Sequence, residues 1–334
     1  MIKRHLINLR RKKLDSWFHV ISLATRGLRN YFAKRPFCIS FEITHSCNAR
    51  CKHCHLGGAV EEQRASPETF GRLARELRPV IAQLSGGEPM LRKDLEEIVR
   101  AIHVPGKAPY IVITTNATLL NEKKYGNLRE AGIDEFSISL DYPDSRHDEF
   151  RGIPGLFNRI KNLIENLPLQ ERKGITLCCV IQNDNFRDLI KMAELAREWK
   201  VGINFSSYTC LRTNDRNYLI SKDNIEEFKR IVENLIAFRK KYKTIFTSTY
   251  AFKKMIEYFE NERMEGCKTG ERFFNVNPDG TLSPCGLIIT NFKSQKELYE
   301  NFSKKNECVY CYTSIRVNSE KPVRYLILDN LKFI

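Results

Sequence analysis

Three cysteines stand at C-x3-C-x2-C spacing in the run Cys47-Asn-Ala-Arg-Cys51-Lys-His-Cys54. Three thiolates on one short loop grip a metal or an iron–sulfur cluster from one side. A [4Fe–4S] cluster takes four ligands, so three cysteines leave one iron open to a small molecule. That arrangement suits a catalytic cluster and is avoided in an electron carrier. A second group lies far downstream, at Cys267, Cys285 and the pair Cys308-Val-Tyr-Cys311. Between Cys267 and Cys285, Pro278-Asp279-Gly280 separates two short β runs, a hairpin signal that lets these two cysteines meet. Four cysteines there could hold a second, fully ligated [4Fe–4S] cluster or a structural zinc. The other cysteines have plainer readings. Cys178 and Cys179 fall on a strand, where at most one of an adjacent pair faces the interior. Cys210 lies just past a strand end, and Cys38 is taken as structural.

The order of motifs along the chain adds more than any one of them. After the cysteine loop, with the ring of His53 just before its third cysteine, come Ser85-Gly86-Gly87-Glu88-Pro89, Thr114-Thr115-Asn116-Ala117 and Ser137-Ile-Ser139-Leu-Asp141. Together these residues resemble the radical S-adenosylmethionine (SAM) enzymes over about residues 37–206. The tail from Cys267 onward resembles the shortened auxiliary-cluster domain called twitch, a relative of SPASM. The resemblance implies that Cys47, Cys51 and Cys54 hold a SAM-binding [4Fe–4S] cluster. It implies that Gly86, Gly87, Glu88, Thr115, Asn116 and Ser139 bind SAM, and that Cys267, Cys285, Cys308 and Cys311 hold an auxiliary [4Fe–4S] cluster. Gly86 and Gly87 lack side chains, so a backbone carbonyl there can come close to the methionine ammonium. Glu88 would set a negative charge beside that ammonium or the ribose.

The implied chemistry is reductive cleavage of SAM to a 5′-deoxyadenosyl radical that takes hydrogen from an unactivated carbon, with ferredoxin or flavodoxin as the electron donor. Relatives of this layout act on peptides, cofactor precursors, small molecules and lipids. The sequence assigns no residue to the substrate itself. The full SPASM pattern has further cysteines, and none follows Cys311, so one auxiliary cluster is expected. His55, beside Cys54, is read as an exposed loop residue.

The elements that must position these residues are legible as an alternation. Apolar runs at 37–43, 80–84, 110–115, 135–140, 175–181 and 201–206 read as strands. Helical patterns fall at about 67–77, 92–103, 121–131, 154–167 and 186–199. Ser66-Pro67-Glu68 is a helix start and Gly132 a helix stop. Six such units predict an α/β fold with a parallel sheet, an open partial (β/α)6 TIM-like barrel rather than a closed eight-stranded one. Each motif then falls at the C-terminal end of a strand, where ligands bind in such sheets. Helices are expected at about 222–242 and 250–260, followed by a smaller α+β twitch-like domain. The closing run from Pro322 reads as a strand or a helix. The division expected is 1–36 as a basic amphipathic leader, 37–215 as the core, and 216–334 as helical linker and auxiliary domain. The second domain is the expected cover for the barrel mouth.

The chain has 334 residues and a formal net charge of +15. Much of that charge is in the leader, where residues 1–35 carry ten Lys/Arg against one acid, Asp15. A helix from about Leu14 to Phe32 would align Leu14, Trp17, Phe18, Ile21, Leu28 and Phe32 as a stripe. Either that stripe packs on the barrel and covers a strand edge, or it lies in the plane of an anionic membrane surface. Nucleic-acid contact is the weakest of the three readings, and a non-catalytic nucleic-acid-binding role is the remote alternative. His5 and His19 are read as solvated or interfacial. Eleven cysteines with no recognisable export signal point to metal chemistry in a reducing compartment, and to a cytoplasmic protein with a peripheral-membrane option on the inner face. The substrate expected is a lipid-like molecule or a peptide, with a soluble peptide or cofactor precursor as the alternative.

Overall fold

The structure, a computed structural model, describes residues 2–322 and residue 325, with side chains from Trp17 onward. The chain opens with helix α1 (Ile2–Phe32) and enters the barrel at β1 (Cys38–Thr44). It then alternates through α2 (Pro67–Leu77), β2 (Ile81–Gly86), α3 (Leu95–Ile102), β3 (Tyr110–Thr115), α4 (Glu122–Ala131) and β4 (Glu135–Ser139). Three helices, α5 (Arg146–Arg151), α6 (Leu156–Asn166) and the single turn α7 (Leu169–Arg172), lead to β5 (Ile175–Ile181). α8 (Leu189–Trp199) and β6 (Gly202–Ser207) complete six parallel units.

The sheet is open. Its order is β6-β5-β4-β3-β2-β1, continued on the β1 side by β7 (Phe273–Val276) and β8 (Leu282–Ser283). β7 runs parallel to β1 and pairs Cys38 with Phe273 through Phe41 with Val276, while β8 returns antiparallel. The Pro-Asp-Gly hairpin is therefore present, and it extends the barrel sheet. A parallel sheet covered by helices is buried on both faces, and all seven residues of β1 are buried. Ser66 caps α2 by accepting from the Thr69 N–H, and Gly132 ends α4 at φ +125°. Beyond the barrel lie α9 (Ile225–Tyr242), α10 (Thr249–Asn261), α11 (Gln295–Asn301) and α12 (Ser314–Glu320).

The leader differs from expectation in two ways. Its helix starts at Ile2 rather than Leu14, since Lys, Arg and Leu are good helix formers without any apolar stripe. More importantly, the stripe does not pack on the barrel. Trp17, Phe18, Ile21, Leu28 and Phe32 are all exposed. α1 docks instead through its polar face. Asn30 donates to the carbonyls of Pro36 and Arg78, Arg26 to that of Pro79, and the Ser22 hydroxyl accepts from the Ala108 N–H. Leu14 and His5 lie outside the residues whose side chains are described, and the closing run beyond Pro322 is outside them except for Tyr325. His19 is interfacial, edge-on to Tyr110. No helix among the described residues is long and apolar enough to cross a membrane.

Candidate active site

The cysteine loop leaves β1 at Thr44 and is held from three sides. Arg92, on the loop after β2, donates to the Ile43 and Ala65 carbonyls and pairs with Asp94. Glu62 accepts from the Thr44 hydroxyl and the His45 N–H. From the far side, the amides of Arg50 and Lys52 donate to the Arg151 and Phe150 carbonyls at the end of α5. The ring of His53 stacks on Phe150 at 5.0 Å, nearly parallel. Burial and the nearby Arg151 and Arg212 push the His53 pKa well below its ordinary value, so the ring is neutral.

Gly86 and Gly87 have a structural reason beyond access. A Cβ on Gly86 would stand 2.1 Å from the Thr44 carbonyl oxygen, and one on Gly87 2.1 Å from that of Ser46. The β2 loop thus lies directly on the root of the cysteine loop. Glu88, fully buried, accepts from the Thr115 hydroxyl at 2.7 Å, the Asn116 N–H at 2.8 Å and the Met90 N–H at 3.1 Å. Burial raises its pKa, and those donors oppose the rise without cancelling it. Asn116 in turn donates to Asn48 between the first two cysteines. One hydrogen-bonded chain therefore links the ends of β2 and β3 to the cysteine loop, and Ser139 stands at the end of β4 on the same cavity.

Two guanidinium groups face the thiols, and sequence reading missed both. Arg151, buried, makes a two-nitrogen contact with Asp141 and reaches Cys51 Sγ at 3.5 Å. Arg212 reaches Cys54 Sγ at 3.7 Å. Arg151 was hidden because α5 carries no apolar period. Arg212 lies past the last expected strand, 201–206, where no helix or strand pattern marks it. Asp141 is the last residue of the Ser137-Ile-Ser139-Leu-Asp141 run. Burial raises the Cys47 thiol to about 11 and also raises Cys51, against the opposing pull of Arg151. Thiols of this kind give up their protons when a metal binds.

The downstream cysteines meet the same space. A single cavity at the C-terminal ends of the strands is lined by Cys47, Cys51 and Cys54 on one wall and by Cys267, Cys285, Cys308 and Cys311 on another. Gly86, Gly87, Glu88, Thr115, Asn116 and Ser139 line it as well. Buried Arg316 staples the second wall, donating to the carbonyls of Met264, Glu265 and Cys311 and pairing with Glu320. Burial raises Cys267 and Cys311 to about 12 and Cys285 to about 11. Among the described residues, no three His, Cys, Asp or Glu side chains stand close enough to share one metal ion. Of the remaining cysteines, Cys178 lines the cavity, whereas Cys179 is buried against Asp141 and Asn185. Cys38 is buried with its thiol raised to about 12, and Cys210 begins a short turn outside the cavity lining. His55 is exposed.

Residues 41–196 match the sequence model of the Radical SAM superfamily. The chain carries a radical SAM domain. As a radical SAM enzyme it is similar to the AdoMet-dependent heme synthase of Oleidesulfovibrio alaskensis, 29% identical over 288 residues that cover 76% of this chain and 71% of that protein. It is also similar to the PqqA peptide cyclase of Granulibacter bethesdensis, 29% identical over 271 residues, covering 76% and 69%. Among solved structures, Streptococcus suis SuiB bound to its precursor peptide SuiA superimposes with a TM-score of 0.60 at 16% identity, over 88% of this chain and 67% of SuiB. That likeness is one of fold. Radical SAM enzymes use a [4Fe–4S] cluster and SAM, and the three thiols beside two guanidinium groups, next to a glycine-lined loop, suit them.

Proposed function

We propose that this enzyme binds its catalytic [4Fe–4S] cluster through Cys47, Cys51 and Cys54, and abstracts hydrogen from a carbon of a peptide or a soluble cofactor precursor. The observation that carries this reading is the shared cavity, which joins both cysteine sets and the strand-end motifs. Bound SAM, reduced at the cluster, would supply a 5′-deoxyadenosyl radical. The chain's own part is to hold and to exclude. Gly86 and Gly87 bring backbone to the cosubstrate, and Thr115, Asn116 and Ser139 offer it hydroxyl and amide groups. Glu88, with both oxygens already accepting, fixes Thr115 and Asn116 and adds its negative charge behind them. Residues 216–334 form the cover over the core of residues 37–215, keeping water from the reacting carbon.

Cys267, Cys285, Cys308 and Cys311 are proposed to hold an auxiliary [4Fe–4S] cluster in a twitch-like unit, within reach of the same substrate. Ser40, Gln83, Thr114, Ser206 and Asn275 also line the cavity. Apolar Leu56, Val180, Leu211, Phe273, Leu287 and Ile315 line it beside them. The likeness to a heme synthase and a peptide cyclase supports a peptide or a cofactor precursor over a lipid-like substrate. A cytoplasmic ferredoxin or flavodoxin is the proposed donor, and the basic leader supports peripheral attachment to an anionic membrane. Anaerobic incubation with SAM and dithionite tests the reaction. Release of 5′-deoxyadenosine only with reductant is expected, and none under any reductant would refute it. Adding peptides or porphyrin precursors to the same assay should raise that release for the true substrate class.

A further inference from the structure

At the end of the barrel opposite the cavity, α1 and the C-terminal end of α2 enclose a depression lined by Arg26, Arg29, Arg35 and Arg78, with Ser22 and Thr25 beside them. None of the four arginines forms an ion pair among the described residues. Arg26 donates only to the Pro79 carbonyl, and its pKa is lowered by burial and by the charges of Arg78 and Arg29. Next to them Arg72 and Arg75 extend the positive surface, and Glu76, the acid at this rim, is already paired with Arg72. Clustered guanidinium groups without acids are matched by phosphate oxygens, which they bind in bidentate fashion.

The same helix turns Trp17, Phe18, Ile21, Leu28 and Phe32 outward, at 58%, 59%, 53%, 49% and 77% exposure. Because α1 docks through Ser22, Arg26 and Asn30, none of the described residues covers this face. An aromatic and aliphatic face flanked by arginines is the composition of a helix lying in a bilayer interface. The sequence before it adds Lys3, Arg4, Arg10, Arg11, Lys12 and Lys13. Salt-screened binding to nucleic acid would use the arginines and leave the apolar face without purpose.

We infer that Arg26, Arg29, Arg35 and Arg78 form a phospholipid-headgroup site that seats α1 flat on an anionic bilayer, with the catalytic cavity facing away from it. α1 contacts residues preceding β1, β2 and β3, whereas the cavity lies past their C-terminal ends, about 20 Å further along the strands. The site anchors the enzyme and leaves the cavity mouth in water. This rests on the peripheral attachment proposed above.

The test is flotation of the full-length, cluster-loaded protein with vesicles of phosphatidylcholine alone or with phosphatidylglycerol added. Four proteins are compared: the parent, Arg29→Ala/Arg35→Ala/Arg78→Ala, the matching triple Lys variant, and Trp17→Ser/Phe18→Ser/Phe32→Ser. The parent should float only with the anionic vesicles. The Ala and Ser variants should bind about tenfold more weakly or less, and the Lys variant should keep most of the binding. SAM cleavage should be unchanged in all four, which excludes misfolding. If the parent floats and the Ala variant floats equally, the arginine site is wrong and membrane attachment stands. If the parent floats with no anionic vesicle, both fall. If a short RNA duplex displaces the parent from vesicles while the Ser variant binds RNA normally, the surface is a nucleic-acid site and the inference is overturned.

Discussion

Arg151 joins the fold to the chemistry with one guanidinium. It neutralises Asp141, whose other oxygen accepts from the Val180 N–H, and it faces the Cys51 sulfur. Replacing Arg151 with Met would leave Asp141 buried and unpaired, at a cost of about 3–5 kcal/mol. Denaturant unfolding should report that loss, and Lys should recover only part of it because it cannot make both contacts. His147 supplies a pH signature close by. It is fully buried, its Nδ1 accepts from the Asp141 N–H, and burial lowers its pKa from 6.5 to about 3. Below pH 6.5 the unfolded chain takes up a proton that the folded one refuses. Stability from this group is therefore lost as pH falls through that window, by about 1.4 kcal/mol per pH unit. Urea unfolding at pH 7.5 and pH 5 should show a smaller pH dependence in His147→Phe than in the parent. Equal slopes would contradict the assignment.

At the scale of elements, the decisive contact is the β2 loop lying on the root of the cysteine loop. Gly87→Ala would drive a methyl group into the Ser46 carbonyl, so the two loops must separate. Overpacking of this kind costs about 1–3 kcal/mol. The expected result is reduced iron retention at the three-cysteine site, measured after the downstream cysteines are replaced. The alternation of strands and helices was legible from apolar runs, caps and stops. The strand-end motifs were too, because their position depends only on that alternation. What was hidden depends on tertiary partners. Nothing local in Arg146–Arg151 marks a helix that braces the cysteine loop. Nothing in Phe273–Val276 names β1 as its neighbour, and a stripe such as Trp17–Phe32 looks the same whether it meets a barrel or a membrane. Glu88 shows the same limit at a single residue, since its three donors come from two different loops.

For the whole molecule, the open sheet puts its chemistry at one end and its leader helix at the other. The C-terminal segment extends the β1 edge through β7 and brings its cysteines over the barrel mouth, so both thiol sets face one space. The two thiol sets are proposed to do different work. Anaerobically reconstituted protein should hold about eight irons per chain, a number set by two [4Fe–4S] clusters. The most direct measurement pairs iron content with 5′-deoxyadenosine release in two variants. Alanine at Cys267, Cys285, Cys308 and Cys311 should leave about four irons and retain reductive SAM cleavage, while alanine at Cys47, Cys51 and Cys54 should leave about four irons and abolish it. SAM cleavage that persists without Cys47, Cys51 and Cys54 would contradict the account.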